Sequence, residues 1–397
     1  MAVPSSLPEE ANPKDLTASV TRLAVAQVLV LSLWFSVTAI LPDLAAAHAL
    51  TLSDLAHLSS MTQLGFVGGA LALALSGLAD RVDPRRLFVG ASLVAALSNL
   101  TLLVVAPDSV AAGLSRVLVG AALAGVYPVG LKLAVGWTVG RRGLVVSLLV
   151  GALTLGSSTP HLVALLGGAD AAVCLIVTSL LAGLGALLVA GIPLGPFHAK
   201  SPRVEPQDLA LALRTPAIRR AYLGYLGHMW ELYAFWAWLA VAARAAAIEA
   251  HVSHPAVFGS ALAFATIALG GLACIPGGQL ADRYGKDVVA RAALVGSFLF
   301  GLVTVLSFSW GLVPFAFAVL LWGITIIPDS PQFSAMVADA APPEKAGSLM
   351  ALQTALGFTL SAVSVQLTPW LAEEAGWPAA FAVLLLGPLA GYFAVGR

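Results

Sequence analysis

The chain is 397 residues long, 59% hydrophobic and only 10% charged, with a formal net charge of zero. A soluble chain carries about 25% charged residues, so this one cannot cover a water-facing surface. A soluble enzyme, a nucleic-acid binder and a disordered chain are excluded. The apolar runs are continuous, which also excludes an outer-membrane barrel with its alternating strands. What remains is an all-α polytopic membrane protein.

Residues 1–19 hold three prolines and three acids without an apolar core, so they are expected to form a cytoplasmic tail and not a secretory signal. A membrane span needs about 20 mainly apolar residues. Twelve such runs follow, at about 20–41, 55–79, 86–106, 110–138, 143–167, 171–192, 217–245, 256–280, 288–308, 311–337, 346–371 and 377–396. They are numbered here as spans 1 to 12. The longest polar break, 193–216, contains Pro193, Pro196, Pro202, Pro206 and Pro216 and reads as a cytoplasmic linker. It divides an N-terminal six-helix bundle, 20–192, from a C-terminal one, 217–397.

Charge placement supports this count. With the N-terminus inside, 17 of the 20 lysines and arginines fall on the cytoplasmic side, which predicts an inner-membrane protein with both termini cytoplasmic. Cys174 and Cys274 both lie in apolar runs and suggest neither a disulfide nor a metal site. No cofactor is expected.

Charges at membrane depth are costly and tend to face a cavity or a partner. In span 4, Arg116 and Lys132 are sixteen residues apart and point to nearly opposite sides of an ideal helix. Unless Pro128 bends the span, one of them is a bundle contact. Span 5 carries a polar stripe, Ser147, Gly151, Thr154, Ser158 and His161. Packing explains its first members, while His161, after Pro160, is a candidate for the outer cavity. In span 7, Gly224, His228, Glu231, Phe235 and Trp238 share a face. Glu231 and His228 are the candidate proton-coupling pair, with a structural hydrogen bond or ion pair as the alternative. Through the offset of 200, Lys132 matches Gln332 in span 10, one turn from Asp329, so Lys132 and Asp329 are candidates for a gate or for solute contact. Gln353 in span 11 belongs to a comparable stripe. Trp34, Tyr127, Trp230 and Tyr233 are candidate cavity walls.

The halves also repeat. Leu78-Ala79-Asp80-Arg81 recurs as Leu280-Ala281-Asp282-Arg283, Pro128 as Pro328, and Trp34 as Trp230. A parallel repeat of six spans is one way secondary transporters are built. The segment Gly278-Gln279-Leu280-Ala281-Asp282-Arg283-Tyr284-Gly285-Lys286 resembles the loop motif of the major facilitator superfamily. The first copy departs from it, with Ser76 and Asp83 where the motif has glycines. Arg116-x-x-x-Gly120 resembles a second motif of the family. The resemblance covers the whole chain. It implies two rocking six-helix bundles with spans 1, 4, 7 and 10 around a central cavity, a coupling role for Arg116, and a functional monomer. Asp80, Arg81, Asp282 and Arg283 would form a cytoplasmic latch that breaks and reforms.

The expected function is secondary transport of a small polar solute, with an organic or inorganic anion as the leading class and protons as the coupling ion. Drug/proton antiport is the alternative. The Gly-Pro-x-x-Gly-Gly motif of such exporters is not matched by Gly151 to Pro160. A transporter-like receptor without transport is a third reading, and no nucleotide loop, metal cluster or nucleophile points to an enzyme.

Overall fold

A computed structural model describes residues 12–138, 142–167, 170–198, 206–342 and 345–396, and among them the regular structure is entirely helical. Span 1 begins as Pro13–Leu31, capped by Asn12, whose side chain accepts from the Lys14 amide. It breaks over residues 32–37 and resumes as the turn Thr38–Ile40 and the short helix Leu41–His48. Span 2 is Leu52–Ser76, opened by a reciprocal cap between Thr51 and Asp54. Span 3 is Pro84–Leu100, span 5 Arg142–Leu166 and span 6 Ala171–Ala190. Span 7 is Pro216–Glu249, span 8 Pro255–Tyr284 and span 9 Lys286–Ser307. Span 4 comes in two pieces, Val110–Leu123 and Tyr127–Val135, and so does span 10, Leu312–Ile326 and Ser330–Ala340. Spans 11 and 12 run through Ala346–Leu384, turn at Gly376 with φ 83°, and end in Leu386–Val395.

Among the described residues, ten helices are long and apolar enough to cross a membrane. The tenth contains the turn at Gly376, and the interrupted first span is not among the ten, so the arrangement is consistent with twelve crossings. The breaks in spans 4 and 10 fall beside Pro128 and Pro328. Proline supplies no amide hydrogen and restricts the residue before it, so the matched prolines give matched breaks.

The two copies of the repeated loop make their turns differently. The second uses Gly285 at φ 100°, a conformation that favours glycine. The first uses Asp83 at φ −55°, where its carboxylate accepts from the Arg85 amide at 2.9 Å and caps the next helix. The Arg85 side chain also donates to this carboxylate and holds it at about 2, below the usual aspartate range. An ordinary helix cap therefore replaces the glycine the motif would need.

Small residues bring the halves together. A Cβ on Gly271 would lie 3.0 Å from Thr154, and one on Gly278 would lie 3.1 Å from Ser147 Oγ, so the polar stripe of span 5 packs on span 8. Span 2 packs on span 11, where Ser60 Oγ donates to Gln366 Oε1 at 3.0 Å and Ser53 donates to Glu373. Both contacts lie toward the face opposite the basic loops, here the far face. Arg244 and Asp43 form a third cross-half contact there, at 3.3 Å.

Toward the basic face span 2 becomes more exposed. The buried residues of span 2 run from Leu55 to Phe66, and none comes from 67–76. A Cβ added at Gly68 would touch nothing within 4 Å. The far face is thus closed by spans 1, 2, 7 and 11, while Ser147 and Gly278 keep spans 5 and 8 in contact nearer the basic face. The linker carries a helix of its own, Pro206–Arg214. It docks through Ala212 against Ile218, Tyr222 and Leu349, and through Asp208 to Lys345 at 3.1 Å.

Candidate functional site

Glu231 is buried in the middle of span 7. Ser297 Oγ of span 9 lies 2.9 and 2.8 Å from its two carboxyl oxygens, and Trp322 Nε1 of span 10 donates to Oε1 at 2.7 Å. Trp322 is fixed by a stack on Phe235 at 4.1 Å and an edge contact with Phe381 at 5.6 Å. Among the described residues no cation pairs with Glu231. Ser297 has one hydroxyl hydrogen facing two carboxyl oxygens. Both short contacts become hydrogen bonds when the carboxyl carries a proton and donates back.

Arg116 is fully buried in the other half. Its Nη1 donates to Asn99 Oδ1 at 2.8 Å, Nη2 to the Leu33 carbonyl at 3.2 Å and Nε to Thr62 Oγ1 at 3.3 Å. Ser36 Oγ donates to the same Asn99 oxygen at 2.7 Å, while the Asn99 amide hydrogens face Leu175, Thr178 and Ser179 of span 6. The Arg116-x-x-x-Gly120 spacing acquires a physical reason here. A Cβ on Gly120 would lie 2.0 Å from the Thr62 carbonyl oxygen, so only glycine lets spans 2 and 4 close enough around the arginine. Of the two span 4 cations, Arg116 is the bundle contact. Lys132 lies half-buried on the other piece of the broken span.

The expected Glu231–His228 pair is not formed. His228 Nδ1 lies 2.8 Å from Asp329 Oδ1, and both side chains are buried. The break at residues 327–329 swings Asp329 onto span 7, while Trp322, further up span 10, takes Glu231. Asp329 thus meets a histidine of its own half. Gln332 Nε2 turns back to the Pro328 carbonyl at 3.4 Å, and Gln353 Nε2 reaches the Ala221 carbonyl at 3.4 Å. Trp230 does not line the centre, because its Nε1 donates to the Val383 carbonyl of span 12 at 3.0 Å. His161 is buried on the span 5 face that meets span 8, and neither ring nitrogen has a partner. Arg81, Asp282 and Arg283 are exposed, and the side chain of Asp80 lies outside the described residues.

Trp34 and Tyr233 do meet at the centre. Trp34, Phe35 and Phe66 of one half interlock with Tyr233, Trp236 and Phe358 of the other. Ring centroids lie 5.7 Å apart for Trp34–Tyr233, 5.2 Å for Trp34–Phe358, 4.6 Å for Phe66–Phe358 and 6.0 Å for Phe35–Trp236. This buried plug lies where the two halves meet at the centre of the molecule. Tyr127 and Tyr225 lie beneath it, within electrostatic range of each other and of Tyr233. Sequence reasoning missed Asn99, Ser297 and Trp322. A signal was present: Asn99 is the one side-chain amide in span 3, and Ser297 follows it by 198 residues in the repeat.

The model of the Major Facilitator Superfamily matches residues 23–365. No curated protein sequence is significantly similar. Among solved structures, the nucleoside transporter NupG superposes with a TM-score of 0.73 at 13% identity, covering 95% of this chain and 98% of that one. A bacterial homologue of the human lysosomal transporter Spinster, in an inward-facing and unoccupied conformation, superposes with a TM-score of 0.67 at 11% identity, covering 97% of this chain and 95% of that one. At such identities the likeness shows the fold.

Proposed function

This chain belongs to the major facilitator superfamily, a transporter and not an enzyme, and on that footing we propose that it moves a small polar solute by alternating access, with Glu231 carrying the coupling proton. The observation that carries the reading is the site of Glu231: a buried carboxyl facing one serine and one indole, with no cation beside it among the described residues. An ionised carboxylate there would lack a counter-charge, so opening the site to either side lets a proton serve as that charge. The positive-inside distribution supports an inner-membrane protein with cytoplasmic termini. On that orientation the exposed Arg81, Asp282 and Arg283 lie at the cytoplasmic face, where they serve as latch residues of the transport cycle. The division into 20–192, a linker and 217–397 follows the repeat, and the working unit is the monomer.

The anion class loses support. Arg116 is fully buried and gives Nε, Nη1 and Nη2 hydrogen bonds to neutral groups of its own bundle, which leaves it poorly placed to meet an anion. A thermal-stability screen of the purified protein tests the solute class, with organic anions, nucleosides, zwitterions and lipophilic cations at pH 5.5 and 7.5. A ligand at 100 times its dissociation constant adds about 2.7 kcal/mol of stability. Stabilisation by small polar solutes, stronger at pH 5.5, is the expected result. Stabilisation by lipophilic cations alone, stronger at pH 7.5, would replace this reading with drug/proton antiport.

A further inference from the structure

We propose that Arg116 is a positioning residue that clasps the break in span 1 and so keeps the aromatic plug shut; the meaning of a shut plug rests on the alternating-access reading. Over residues 32–37 span 1 is not helical, and the Leu33 carbonyl faces side-chain donors, Arg116 Nη2 at 3.2 Å and, at 2.9 Å, the Ser36 hydroxyl, whose single hydrogen is shared with Asn99 Oδ1. The two residues between Leu33 and Ser36 are Trp34 and Phe35, the span 1 contribution to the plug. Ser36 is tied to Arg116 a second time, through the shared Asn99 oxygen. Both ends of the plug-bearing dipeptide are thus fastened to one guanidinium. Its acceptors among the described residues are an amide, a hydroxyl and a backbone carbonyl, none of which titrates near neutral pH. The geometry fits a clasp and not a relay.

The molecule contains its own reporter. Cys174 of span 6 is buried with its Sγ 3.7 Å from the Ser36 carbonyl, at the edge of the break. Cys274 of span 8, in the other half, is also buried and serves as the internal control. The test is the rate at which N-ethylmaleimide alkylates Cys174 in lipid nanodiscs, with Cys274→Ser as background, and the rate for Cys274 with Cys174→Ser as background. Arg116→Ala is expected to speed alkylation of Cys174 at least about tenfold, the population change that loss of one hydrogen bond to a charged group supports. Cys274 should stay slow, and Arg116→Lys should recover part of the protection. Unchanged Cys174 labelling, or equal acceleration at both cysteines, would overturn the proposal. If Arg116→Ala does not yield folded protein, Ser36→Ala, which cuts the tie through Asn99 and leaves the Arg116–Leu33 bond, must still accelerate Cys174 selectively, and its failure to do so overturns the proposal equally. The readout needs neither solute nor proton gradient. It therefore stands or falls separately from the coupling role of Glu231, which is read from transport.

Discussion

In one half Ser36, Asn99 and Arg116 join spans 1, 3 and 4; in the other Glu231, Ser297 and Trp322 join spans 7, 9 and 10. The two networks occupy equivalent places in the repeat and differ in the kind of charge they hold. A guanidinium keeps its charge in a protein and offers five donors, so surrounding it with neutral acceptors gives a fixed joint. A carboxyl can lose its charge by taking one proton, so surrounding it with two donors and no cation gives a joint with two states. The pseudo-symmetric fold therefore carries a clasp on one side and a switch on the other.

The most damaging way to break the comparison is to remove the switch. Glu231→Gln should abolish proton-gradient-driven accumulation while leaving the fold and solute counterflow intact. Next comes the cost of emptying each network. Asn99→Ala strands a buried cation and should cost about 2–4 kcal/mol. Ser297→Ala leaves a carboxyl that protonation can neutralise, and should cost only about 1 kcal/mol. Denaturant titration in matched micelles would show both, and equal costs would erase the distinction. Trp322→Phe is finer, since it keeps the stacks on Phe235 and Phe381 but loses the N–H donor to Glu231. Gradient-driven uptake should slow several-fold while counterflow is preserved. The smallest effect is expected at the far face. The Asp43–Arg244 pair is partly exposed, so Arg244→Ala should cost less than about 1 kcal/mol of stability. Burial outweighs Arg244 and lifts the Asp43 carboxyl above its usual range. On acidification this pair is lost earlier than an exposed one, which thiol labelling from that side as a function of pH would register.

The fold was legible because hydropathy, the charge bias and the repeated loop each report a property spread over many residues. Glu231 stood out because one carboxyl in the middle of a span has few explanations. Its partners were not legible, because they depend on the break at residues 327–329. An ideal helical wheel puts His228 beside Glu231, whereas the broken span 10 sends Asp329 to the one and Trp322 to the other. Trp230 was misassigned to the cavity for a related reason. Its match to Trp34 in the repeat gives its place along the chain, and the broken path of span 1 turns only Trp34 toward the centre. The sequence offered Asn99 and Ser297 as single polar residues in apolar spans, but nothing in their spacing said that one faces an arginine and the other a carboxyl.

The most direct measurement compares wild type and Glu231→Gln in proteoliposomes, using a radiolabelled solute taken from the stability screen. Uptake is recorded under an imposed inward proton gradient and, separately, as counterflow without one. The account predicts accumulation against the solute gradient in the wild type, none in the variant, and counterflow in both. Equal gradient-driven accumulation by the two proteins would contradict it.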